Sequence, residues 1–204
     1  VIPNGTITGR MSHKSPNMAQ VPNLGSKYGA ECRSCWTVPK GYKLVGIDAS
    51  GLELRMLAHY MDDKEYTNEI LNGDIHTANQ KLAGLESRNQ AKTFIYALLY
   101  GAGDEKLGSV AGGGKRTGEK LRKSFFDNLP SFATLRNKVA RTATERSYLK
   151  GLDGRKIPIR SEHSALNTLL QGAGAIVMKQ AVVLLNDKIK DLDAHFVANV
   201  HDEW

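Results

Sequence analysis

The run from Arg88 to Tyr100, RNQAKTFIYALLY, leaves the chain little choice of local structure. Arg88, Lys92, Tyr96 and Tyr100 recur every fourth residue, and in a helix each such step turns by about 400° and rises about 6 Å, so successive side chains drift by only about 40°. The four therefore line one face of a helix, and Gly101 and Gly103 end it. Two cations followed by two aromatics suit a nucleoside triphosphate: Arg88 as a planar fork and Lys92 as a point charge for phosphates, with Tyr96 and Tyr100 nearer sugar and base. The same pattern also fits an ordinary helix whose tyrosines enter the core while the cations stay solvated.

Around this helix the hydrophobic periodicity marks further elements. Leu44 to Ala49 reads as a strand, with Val45 and Ile47 on one face and Leu44, Gly46 and Asp48 on the other, delivering Asp48 at its end. Ser50 and Gly51 turn the chain into a helix whose apolar stripe is Leu54, Leu57, Ala58 and Met61, with Glu53 off the stripe in the first turn. A long helix is expected from about 165 to 189, with Leu166, Leu169, Leu170, Ala173, Val177 and Leu184 inward. His195 to Val200 alternates as a strand, Phe196, Ala198 and Val200 on one face, and leads to Asp202.

Two strands that each end in an aspartate, far apart in sequence, suit a two-metal phosphoryl-transfer site, which needs hard oxygen ligands on rigid elements around ions about 4 Å apart. Glu203 beside Asp202 adds to this, because clustered carboxylates repel unless a cation or protons offset them. An aspartate at a strand end also serves simply as a turn former or helix cap.

At 204 residues and 41% hydrophobic content the chain can bury a sizeable core, as one large domain or two coupled lobes. Its charge is uneven: residues 101–160 hold 14 Lys or Arg against 6 Asp or Glu, while the remainder holds 14 against 15. A segment with that excess fits a polyanionic partner or a solvated basic surface. Cys32 and Cys35 form a lone C-x-x-C without the other ligands of a structural zinc. The Gly112 to Lys115 run fails the Walker spacing, since Ser109 stands at the first glycine position and Arg116 replaces Ser or Thr. No signal segment is evident, and no apolar run near the ~20 residues that span a membrane. With Val1-Ile2-Pro3 at one end and His201-Asp202-Glu203-Trp204 at the other, the chain reads as a piece of a larger intracellular protein.

The run RNQAKTFIYALLYGAG resembles motif B of family A DNA polymerases, the bacterial polymerase I type. KLVGIDASGLELRMLAHYM at 43–61 is similar to motif A, and VHDE at 200–203 to motif C. TGR at 8–10, PNMAQVP at 16–22, NGDIHT at 72–77, GLDGRK at 151–156 and NTLLQGAGA at 167–175 match in order, and the phage replicative branch, the T-seven type, is the nearest in pattern.

The resemblance implies an α+β right-hand polymerase core, an antiparallel palm sheet flanked by helices with a helical fingers subdomain. Residues 1–57 and 167–204 would form the palm, the second part truncated, and 58–166 the fingers with the motif B helix at about 88–100. It implies that Asp48 and Asp202, assisted by the Ala49 carbonyl, bind two Mg2+ ions, and that Arg88, Lys92 and His76 contact the triphosphate, Lys92 also protonating departing pyrophosphate. Glu53 resembles a steric gate against a ribose 2′-hydroxyl. Tyr96 would lie near the sugar, where its hydroxyl predicts poor discrimination against dideoxynucleotides, and Tyr100 near the templating base. Arg10, Gln20, Asn167 and Gln171 match minor-groove readers, which suit an enzyme that accepts every sequence, and His201 supports the primer terminus.

The implied partners are primer-template DNA and deoxynucleoside triphosphates, with no membrane, in the cytoplasm, that of a host cell if the protein is phage-encoded. The thumb of such enzymes, where a processivity factor would bind, lies outside this stretch, so activity is expected of a longer polypeptide. A single-subunit RNA polymerase shares the aspartates and a similar helix, but Glu53 argues against it. A noncatalytic nucleic-acid-binding module accords with the basic middle segment, and a two-metal nuclease would need more carboxylates.

Overall fold

The computed structural model describes all residues from Val1 to Trp204. Nine helices carry the fold: α1 Gly29–Ser34, α2 Leu52–Met61, α3 Lys64–Asn72, α4 Ile75–Ala83, α5 Arg88–Leu99, α6 Asp104–Val110, α7 Lys115–Asn128, α8 Pro130–Arg146 and α9 Ala165–Ile189. Between α8 and α9 lies one hairpin, β1 Tyr148–Lys150 against β2 Lys156–Pro158, antiparallel with Leu149 opposite Ile157. The chain divides into two units, residues 1–52 with 172–204, and residues 53–171.

Local chemistry sets most helix ends in the second unit. Asp63 caps α3 through the Tyr66 amide and Asp74 caps α4 through the His76 amide. Ser87 and Gln90 form a reciprocal capping box at the start of α5. Pro130 opens α8 at a position where its missing N–H costs nothing. Gly101 ends α5 at φ 78°, and a Cβ there would lie 2.5 Å from the His163 carbonyl oxygen, so both conformation and space demand glycine.

The core of this unit forms where the helices turn their apolar faces together. Phe94 of α5, Phe125 of α7 and Phe132 of α8 are fully buried, with edge-on ring contacts of 5.8 and 5.3 Å between centroids. Leu54, Leu57, Ala58 and Met61 of α2 join them, as the stripe in the sequence predicts. Helices α6 and α7 meet backbone to backbone: a Cβ on Gly118 would sit 1.8 Å from the Asp104 carbonyl oxygen. Across that crossing Arg122 Nε lies 2.9 Å from Asp104 Oδ1.

The first unit has much less regular structure. The expected palm sheet is not present as a sheet. Neither 44–49 nor 195–200 is a strand; Asp48 and Val200 take part only in isolated bridges to Glu203. The reason is a shortage of partners: only 47–49 finds extended backbone to pair with, at 202–204, and Leu44, Val45, Phe196 and Val197 remain exposed. Helix α9 has the predicted bounds, and Leu166, Leu169, Leu170 and Ala173 are buried. Val177 is only partly buried and Leu184 is 65% exposed, so the inward stripe stops earlier than its periodicity suggests. Contrary to the expectation of no membrane-length apolar run, Glu162–Ile189 is long and apolar enough to span a bilayer by length and composition alone. Its first turns pack into the core of the second unit instead.

Candidate active site

In the first unit main-chain pairing sets the segments that carry Asp48 and Asp202 side by side. Ile47 and Trp204 exchange hydrogen bonds of 2.7 and 2.9 Å, and the Ala49 amide donates to the Asp202 carbonyl at 2.9 Å. This register sets Asp48 opposite Glu203, so both side chains leave the same face of the ribbon. Glu203 reaches back along that face, since a Cβ on Gly46 would come within 3.0 Å of its Oε1. Asp202 itself sits in a tight turn, His201-Asp202, closed by hydrogen bonds of 2.8 and 2.9 Å between Val200 and Glu203, with His201 at φ 57°. His201 is exposed.

A residue that the strand pattern overlooks holds this turn. Asn199 is buried, and its side-chain amide donates to the carbonyls of His201 and Glu203 at 3.3 Å each. Its own carbonyl accepts from Nε2 of buried His13 at 2.7 Å. The expected alternation puts Phe196, Ala198 and Val200 on one face, whereas the buried position is the polar Asn199 between Ala198 and Val200. Nothing in the local pattern signals this.

No three or more His, Cys, Asp or Glu side chains form a metal-binding group. Asp48, Asp202 and the adjacent Ala49 carbonyl are nevertheless hard oxygen donors on neighbouring backbone positions. That donor set fits Mg2+, which takes one or two carboxylates and fills its shell with water and phosphate oxygens.

The second unit gathers the cation and aromatic positions. On α5, Ala91, Phe94, Ile95, Leu98 and Leu99 face the core, leaving Arg88 and Lys92 exposed, Tyr96 half-buried and Tyr100 exposed at the C-cap. The His76 ring of α4 stands 6.3 Å from that of Tyr96, centroid to centroid. Burial, with the positive charges of Arg88 and Lys92, pushes the His76 pKa down, so the imidazole is neutral near pH 7; its Nδ1 is buried without a partner. At the head of the same face Arg88 grips Asp74 through one edge of the fork, Nε to Oδ2 at 2.6 Å and Nη2 to Oδ1 at 3.2 Å. Those bonds, with one from the Thr77 hydroxyl, hold the Asp74 carboxyl well below the usual range.

Glu53 is buried in the first turn of α2. Asn167 and Gln171 are one turn apart on α9, both partly buried, while Arg10 is partly buried and Gln20 exposed in the first unit. The carboxylate set and the cation set thus fall in different units.

The sequence model of DNA polymerase family A matches residues 2–204. The chain belongs to DNA polymerase family A. It is 46% identical to the DNA-directed DNA polymerase of Enterobacteria phage T3 and 47% to that of Escherichia phage T7, each across the whole of this chain. It spans 34% of the length of those phage relatives. Among solved structures, this family A chain resembles the POL domain of Pol1 from M. smegmatis in complex with DNA primer-template and dNTP. That match has a TM-score of 0.86 and 25% identity, and covers 97% of this chain and 39% of the other.

Proposed function

We propose that this chain is the palm and fingers of a template-directed DNA polymerase that adds deoxynucleotides to a primer 3′-hydroxyl. The observation that carries the reading is the cluster of Arg88, Lys92, Tyr96 and His76 on two adjoining helices, a triphosphate-shaped arrangement in a family A chain. The division into units supports assigning residues 1–57 and 167–204 to the palm and 58–166 to the fingers. Primer-template DNA and deoxynucleoside triphosphates are the partners, the pair named for the M. smegmatis structure.

Asp48, Asp202 and the Ala49 carbonyl would hold two Mg2+ ions, whose chemistry would be to acidify the primer hydroxyl and to neutralise charge on the leaving pyrophosphate. Arg88 and Lys92 bind the triphosphate, and Lys92 hands a proton to pyrophosphate as it leaves. Neutral His76 contributes a hydrogen bond rather than a charge. Tyr96 borders the sugar and Tyr100 the templating base, while Glu53, held by its burial, blocks a ribose 2′-hydroxyl. Arg10, Gln20, Asn167 and Gln171 contact the minor groove, and His201 the primer end.

The test is Mg2+-dependent primer extension by the natural polypeptide carrying this sequence. Asp48→Ala should cut the rate by at least about a thousandfold, the scale lost when transition-state charge is left unstabilised. Wild-type enzyme should prefer deoxynucleotides, and Glu53→Ala should admit ribonucleotides. Extension that survives Asp48→Ala, or a native preference for ribonucleotides, would overturn the proposal.

A further inference from the structure

Asp74 has no assigned part in the reaction, yet it holds the residue that opens the cation face. Its carboxylate accepts from Arg88 Nε at 2.6 Å and Nη2 at 3.2 Å, from the Thr77 hydroxyl at 2.8 Å and from the His76 amide at 3.1 Å. One side chain therefore caps the helix that presents His76 and fixes the guanidinium of the helix that presents Lys92 and Tyr96.

An anion beside an anion-binding arginine has two opposed effects. It repels an incoming triphosphate and competes for the fork. It also holds a long, exposed side chain in one rotamer, sparing the entropy that binding would otherwise cost. The geometry decides between them. Asp74 takes Nε and one Nη, the inner edge of the fork, and no protein group bonds to Nη1. The remaining guanidinium N–H groups are unclaimed, because a guanidinium carries more donors than one carboxylate can take. Capture by Asp74 thus leaves Arg88 aimed and still able to donate.

We infer that Asp74 is a positioning residue for nucleotide binding, which pre-orients Arg88 toward the triphosphate while its cap sets the start of the His76 helix. This rests on the triphosphate reading of the α5 face. The role is distinct from a structural ion pair: the side chains are 52% and 42% exposed, and solvent-screened pairs contribute little to folding.

Asp74→Asn separates the functions, because asparagine caps a helix as well as aspartate does but cannot hold the fork as a carboxylate does. In the natural polypeptide, primer extension with dTTP gives KM and kcat, and tripolyphosphate, which lacks sugar and base, reports binding of the phosphate chain as an inhibitor. Asp74→Asn should raise the dTTP KM and the tripolyphosphate inhibition constant each by about tenfold, with kcat changed less than about threefold and the melting temperature unmoved. In an Arg88→Ala background the same substitution should add nothing, because the group it positions is gone.

A lower or unchanged KM in Asp74→Asn would make Asp74 a competitor or a bystander and overturn the inference. So would additivity with Arg88→Ala, or a loss of activity that tracks a loss of stability. If Arg88→Ala alone leaves the dTTP and tripolyphosphate constants unchanged, the triphosphate reading fails first and takes this inference with it.

Discussion

Residues 53–171 and the remainder of the chain hold their functional groups by different means. In the former, Arg88, Lys92 and Tyr96 ride a capped helix whose other face is buried, and are positioned because Phe94, Ile95 and Leu98 are fixed in the core. In the latter, Asp48 and Asp202 are positioned by hydrogen bonds between main chains, with apolar neighbours such as Val45 and Ile47 exposed. Side-chain packing sets the cation and aromatic face of α5, and backbone pairing sets the carboxylate segments. The first should be sensitive to what fills the core, and the second largely indifferent to it.

The sharpest way to break that comparison is a pair of truncations. Phe94→Ala removes a fully buried ring from the junction of α5 and α7, and should cost about 3–5 kcal/mol in chemical denaturation. Ile47→Ala, at a 46% exposed position whose contribution is its backbone, should change stability by less than about 0.5 kcal/mol. Equal costs would erase the distinction.

A smaller effect tests the helix ends. Ser87→Ala removes the side chain that accepts from the Gln90 amide and half of the capping box, and should destabilise the chain by about 1 kcal/mol. Hydrogen exchange should locate the loss in the first turn of α5, while the amides of Ala49 and Trp204 stay as protected as before.

The smallest concerns His76. Its folded pKa lies below the ordinary 6.5 because of burial and two nearby cations, so the folded chain binds that proton more weakly than the unfolded one. The stability it confers is complete above about pH 6.5 and declines as pH falls through that value toward the folded pKa. Arg88→Ala removes a cation and frees the Asp74 charge, and both changes should move the His76 titration upward when followed by NMR. An unmoved or lowered titration would mean that the cluster is looser than described.

Much of this was legible in the sequence, for reasons that differ by element. Helix α5 announces itself through period and terminating glycine, both of which act within a few residues. The bounds of α9 were readable from its period, but the exposure of Leu184 was not, because periodicity tells which side chains share a face and says nothing about what covers it. The strands of 44–49 and 195–200 failed on that account: alternation is a local property, whereas a sheet needs partners.

The site divides along the same line. The grip of Asp74 on Arg88 depends on two helices meeting. The pairing of Ile47 with Trp204 joins segments more than 150 residues apart, beyond any local rule. Asn199 runs against the local pattern altogether, a buried amide where alternation places a solvent-facing residue.

The main-chain hold on Asp202 carries one more consequence. An N–H or a carbonyl is the same group in almost every residue type, so a bond between Ile47 and Trp204 does not ask what their side chains are. With Asn199 kept to close the turn, the side chains of Ile47 and Trp204 can be rewritten, for solubility, for a fluorescent reporter or for a crosslink, while the carboxylate keeps its address.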